Sequence, residues 1–119
     1  MSEQQFESFR SFYPYYLAEH RNGWCRLCHL VGSLLSILVV LVSLLTQEYL
    51  WVFAAPLFGY GWAWLGHFVF EHNRPATFKY PRFSFIGDWV MLKDILTGQF
   101  PLLGSLPEEV LAAVDDNVP

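Results

Sequence analysis

The sequence predicts an all-α membrane protein: a two-span transmembrane helical hairpin with flanking amphipathic helices. Three observations lead there. Only 15% of the residues are charged, against about 25% in an average soluble domain. The deficit is concentrated, because Glu48 is the only full charge between His29 and Glu71. Two long uncharged runs fill that interval, separated by Gln47-Glu48. The 119 residues make one domain, which we take as residues 1–119 with spans at about 27–46 and 49–70, amphipathic helices at about 3–20 and 83–97, and a short acidic tail over 105–119.

The first segment, to His20, places Phe6, Phe9, Tyr13 and Tyr16 or Leu17 at helical steps of three and four. Pro14 predicts a kink or a restart. Aromatic richness suits a helix lying at a lipid–water boundary. Leu30 to Thr46 is seventeen residues without a charge, and twenty from Leu27, enough to cross a hydrocarbon core of ~30 Å at ~1.5 Å per residue. Tyr49 to Phe70 is the second run. Its Pro56, Gly59, Gly61 and Gly66 would weaken a soluble helix but are tolerated in a membrane, where small residues let helices approach. Tyr49, Trp51, Tyr60, Trp62 and Trp64 include candidates for interfacial belts. The link between the runs is short, so the pair is antiparallel. All seven Lys and Arg residues lie before the first run or after the second, which makes both termini cytoplasmic. EHNRPATFKYPRF reads as a loop. A further amphipathic helix follows and stops at Gly98, and a short helix is expected near Ser105. The N-terminus lacks the charged and apolar regions of a cleavable signal peptide. No basic excess suggests nucleic acid, since the net charge is −4.

The four histidines are the candidates for chemistry. A hairpin brings His29, at the start of the first span, and His67, near the end of the second, to one membrane face. His20 and His72 lie close to the same level. Neutral imidazole is the commonest protein metal ligand, and Fe, Zn, Cu and Ni all accept it. His67 and Glu71 are four apart and share a helical face, so Glu71 is a candidate ligand or orienting carboxylate. His20 and His29, nine apart, face opposite ways on one straight helix. Both reach one site only if the chain bends, and Asn22-Gly23 supplies a bend. Interfacial histidines without a metal are the plainer alternative. Cys25-Arg26-Leu27-Cys28-His29 also fits C-x-x-C-H, the c-type haem attachment pattern. Its cytoplasmic placement argues against haem, and a reduced thiol pair acting as small apolar residues is the simpler reading.

Two stretches resemble a known family. YLAEHRNGWCRLCHLVG (Tyr16 to Gly32) carries a Tyr-Leu, a Glu-His, an Asn, then Arg, His and Gly. GYGWAWLGHFVFEHNRPATFKYP (Gly59 to Pro81) carries a Gly-His, a Glu, an Asn-Arg-Pro-Ala and a Tyr-Pro, with Gly87-Asp88 following. Together they resemble the Mpo1-like family over roughly Phe6 to Phe100. The resemblance implies a membrane-bound, Fe(II)-dependent dioxygenase that shortens 2-hydroxy fatty acids by one carbon. It implies His20, His29 and His67 as iron ligands, and Glu71, Asn73 and Asp88 as polar catalytic positions. His72 matches no fixed position. Cys25 stands where the family has Asn, and Cys28 where an apolar residue is usual. In that mechanism Arg21, Arg26 or Arg74 pairs with the substrate carboxylate. The acyl chain runs between the spans, and O₂ is the second substrate. The alternative is a non-enzymatic hairpin packing with partners or shaping the bilayer. A homo-oligomer is expected, because two spans cover polar groups poorly.

Overall fold

The computed structural model describes residues 6–111. Among them every regular element is helical. The first helix, α1 (Phe9–Ala18), starts where the Ser8 hydroxyl accepts from the Ser11 N–H at 3.3 Å, an N-cap that satisfies one otherwise unpaired donor. Pro14 lies inside α1 without splitting it, so the chain neither stops nor restarts there. Asn22 then caps α2 (Gly23–Thr46) through its side chain, which accepts from Trp24 N–H at 2.8 Å. The bend expected at Asn22-Gly23 is this cap.

Helix α2 ends at Gln47, which takes a left-handed conformation at φ 60°. Glu48 N–H reaches Ser43 C=O at 3.0 Å and Gln47 N–H reaches Leu44 C=O at 3.3 Å. This pair of bonds closes the last turn as a Schellman motif does. The chain turns back at once and runs antiparallel to α2. The return leg comprises a 3-10 stretch Tyr49–Ala54, α3 (Ala55–Gly66) and a π-helical turn His67–Glu71. One helix, α2, is long and apolar enough to cross a membrane. The second expected span is not one such helix: its backbone changes helical type twice, so no single helix of spanning length forms there. Pro56, near the start of α3, has no N–H to give to a continuing α-ladder.

The two legs meet through small residues. A Cβ on Gly32 would stand 2.8 Å from Gly59 O. Ser36 Oγ donates across the interface to Ala55 O at 2.9 Å. The outward faces stay apolar, with Leu38, Leu45, Leu50, Phe53 and Leu57 exposed.

After the left-handed His72, at φ 59°, a short 3-10 turn Ala76–Phe78 leads into α4 (Pro81–Leu96). Helix α4 ends in a second Schellman pair, Gly98 N–H to Ile95 O and Gln99 N–H to Asp94 O, with Gly98 at φ 81°. The expected Gly98 stop is therefore met. Helices α1 and α4 form an aromatic layer over one end of the antiparallel pair. Phe6, Phe12, Tyr16, Tyr80 and Met91 make its core. Gly87 lets α4 approach, since a Cβ there would touch the Tyr16 ring at 3.0 Å. Residues 101–107 pass back beneath α2, and a helical turn opens at Glu108. The start of the expected first helix and most of the acidic tail lie outside the described residues.

Candidate metal centre

Three of the four histidines come together. His20 sits in the turn between α1 and α2, His29 in the second turn of α2, and His67 at the end of α3. All three are buried, with exposures of 0%, 4% and 1%. His20 Nε2 lies 3.1 Å from His29 Nε2 and 3.0 Å from His67 Nε2. His72 is exposed and serves the turn.

The other nitrogen of each ring decides what these contacts mean. His20 Nδ1 faces Tyr16 O at 2.5 Å, and His29 Nδ1 faces Cys25 O at 3.0 Å. His67 Nδ1 faces Asn73 Oδ1 at 2.7 Å. The Asn73 orientation is fixed by its amide nitrogen, which donates to Glu19 O and Glu19 Oε1, both at 3.2 Å. Each Nδ1 therefore meets an acceptor and carries the proton. A neutral imidazole has only one N–H, so all three Nε2 atoms are bare lone pairs. No proton lies between them, and the 3.0–3.1 Å contacts are repulsive as they stand. Protonation gives no relief for His20, whose pKa burial pushes well below the ordinary value, with His29 and His67 adding to the shift.

A cation would resolve the conflict. Two ligand atoms bonded to one first-row ion at about 2.1 Å and at right angles stand about 3.0 Å apart. Both close nitrogen pairs have that spacing. Each ring is already oriented by its Nδ1 hydrogen bond, the usual outer support of a ligating histidine. The residues present thus fit a metal. We expect Asn73→Leu to weaken metal binding roughly 10–100-fold, read by competition with a chelator. An unchanged affinity would reduce Asn73 to a packing residue.

The other candidates distribute as follows. Asp88, on α4, lies 4.0 Å from His29 Nε2 and accepts from the Tyr16 hydroxyl at 2.5 Å. Burial pushes its carboxyl up to about 7, and the Tyr16 bond offsets part of that. Glu71 stands outside the histidine group, with its carboxylate accepting from Asn22 N–H, and so holds the α1–α2 turn to the end of α3. Arg26 is fully buried. Its guanidinium donates to His20 O at 2.7 Å, Arg21 O at 3.0 Å, Leu102 O at 3.1 Å, and Gly104 O. Those carbonyls occupy the fork that a substrate carboxylate would need. Arg21 and Arg74 are exposed, and Arg74 borders a surface cleft with Tyr15, Glu19 and Lys79.

The haem alternative meets a packing obstacle. Cys25 and Cys28 are both buried. A Cβ on Gly66 would come within 3.0 Å of Cys28 Cβ and 3.1 Å of Cys25 Cα, so α3 occupies the space a porphyrin would require. Sequence reasoning gave Tyr16 and Glu19 no role, although they are the Tyr of the Tyr-Leu and the Glu of the Glu-His in the motif. It also passed over Cys25 as a donor, although Cys25 and His29 share a helical face at i, i+4.

A cleft of about 520 Å³ opens beside the histidines between α2, α3 and α4. His29 and Asp88 stand among its lining, as do Ser33 and Ser36. The rest is almost wholly apolar, including Ile37, Val40, Leu41, Val52, Ala63 and Trp89. From His29 to Leu41 along α2 is about 18 Å, the length of roughly fourteen extended methylenes. Neither the curated proteins nor the solved structures give a match. The family model described as 2-hydroxy-palmitic acid dioxygenase Mpo1-like matches residues 6–100, and the chain belongs to the Mpo1-like family.

Proposed function

We propose that this protein is a membrane-embedded, non-haem Fe(II) dioxygenase that shortens 2-hydroxy fatty acids by one carbon. The observation that carries the reading is the meeting of three bare Nε2 lone pairs beside a long apolar cleft. A ligand with a chelating head and an alkyl tail matches that pairing. His20, His29 and His67 would hold the ion, and iron(II) there would supply the activation of O₂. The overall change balances as R–CH(OH)–COOH + O₂ → R–COOH + CO₂ + H₂O, with the Cα–carboxyl bond broken and four electrons passed to oxygen.

The chain's own residues do the remaining work. The cleft takes the tail and excludes water from it, at about 0.8 kcal/mol per buried methylene. Asp88, which lines the cleft 4.0 Å from His29 Nε2, accepts the 2-hydroxyl proton. Asn73 and Glu71 act as positioning groups, the first on the His67 ring and the second on the α1–α2 turn. Arg21 and Arg74 face the acidic head groups of substrate or lipid from the rim. The apolar outer faces of α2 and α3 meet lipid, with the segmented return leg completing a second passage and both termini cytoplasmic.

The test is oxygen uptake by the iron-loaded protein in detergent with 2-hydroxypalmitate. Stoichiometric pentadecanoate and CO₂ are expected, with palmitate inert. Ala63→Phe, which fills the cleft, is expected to keep the iron and lower kcat/KM at least ~10-fold. Iron binding without oxygen uptake on any 2-hydroxy acid would overturn the reading.

A further inference from the structure

The geometry points to a fourth donor in the histidine group, and we propose that Cys25 binds the ion as a thiolate. The inference rests on the metal reading above and extends it to a mixed nitrogen–sulfur site. Cys25 lies one turn before His29 on α2, so both side chains leave the same helical face. Its Sγ lies 3.8 Å from Nδ1 of the His29 ring, the ring whose Nε2 would meet the ion. One ligand atom from each of His20, Cys25, His29 and His67 falls within 4.8 Å of all the others. Cys25 is fully buried. Gly66 sets its position from the opposite leg, because α3 presses against the Cys25 backbone there with no side chain between. Cys28 stands outside the group, and its Cβ is turned towards Gly66.

Charge supplies the second argument. Three neutral imidazoles leave the full double charge of a divalent ion inside a buried site, and an uncompensated buried charge is costly. A thiolate removes one of those charges. The Asp88 carboxylate, 4.0 Å from His29 Nε2, stands close enough to offset the other. On binding, the S–H bond breaks, a sulfur–metal bond forms and the proton passes to buffer. No oxidation state changes. Sulfur also biases the site towards iron, cobalt or zinc and away from magnesium or calcium.

The test loads the full-length protein, purified in detergent, with Co(II) and records its absorption spectrum. A near-ultraviolet sulfur-to-cobalt charge-transfer band is expected. It should disappear in Cys25→Ser and in Cys25→Ala, and persist in Cys28→Ser. Co(II) affinity should fall about tenfold or more in the Cys25 variants, with circular dichroism reporting that they remain helical. Cobalt uptake without the band would overturn the sulfur ligand and leave the histidine site standing. A band that survives in both Cys25 variants would do the same. Absence of cobalt uptake in the unsubstituted protein would overturn both.

Discussion

Replacing His20 with alanine is expected to yield a folded protein that holds no stoichiometric iron and has no measurable activity on 2-hydroxypalmitate. His20 takes part in both short nitrogen contacts, at 3.1 Å to His29 and 3.0 Å to His67. Without it the two remaining imidazoles lose the donor that stands between them. The loss should exceed the roughly 10–100-fold typical of an outer support residue. Thermal denaturation distinguishes this from a packing defect. Ligand binding to the native state stabilises by RT ln(1 + [L]/Kd), about 2.7 kcal/mol at a hundredfold excess over Kd. The unsubstituted protein should therefore rise in Tm on addition of Fe(II), and His20→Ala should not. The metal-free variant also sheds two lone-pair repulsions, which offset part of the cavity it creates. A variant that melts early but keeps its metal response would show His20 to be a core residue only.

Arg26→Met carries the second large effect. Methionine nearly matches the aliphatic stem but removes every donor. Four backbone carbonyls, those of His20, Arg21, Leu102 and Gly104, then lose their partner inside the protein. Each buried carbonyl left without a donor costs about 1–3 kcal/mol, and the four together correspond to a fall in Tm on the order of 10 °C or more. Arg26→Lys should rescue little, because an ammonium cannot reproduce the planar fork. A substrate-binding arginine would behave differently: KM would rise while Tm held. Unchanged stability with a raised KM would restore Arg26 to the substrate.

The helical class, the bend at Asn22-Gly23 and the Gly98 stop could all be read from residues whose local physics has one answer: an uncharged run, a capping side chain, a glycine at positive φ. The convergence of His20, His29 and His67 was also legible, because an antiparallel return brings the start of one leg to the end of the other. Much of what surrounds the site was not. Nothing local marks Arg26 as the clamp for Leu102 and Gly104, since both acceptors are main-chain atoms some 76–78 residues away. Helix α4 looked like a surface helix, but Ser84, Gly87, Met91 and Asp94 are buried, and it carries Asp88 over the histidines. The return leg's changes of helical type follow from proline and glycine placements that periodicity alone does not resolve. Which nitrogen of the His67 ring carries its proton depended on Asn73, a loop residue whose partner Glu19 lies across the fold.

The three opposed lone pairs have a consequence in the cell. If the group holds the proposed ion, they are a penalty of the empty protein that the ion would relieve, and the empty and loaded forms would differ in their distance from unfolding. Chaperones and proteases act on that distance, and small differences in it change steady-state abundance several-fold. Iron supply would then set how much of this protein accumulates, as well as how much of it is active. Its level in a starved cell would fall after translation, with no change in its messenger.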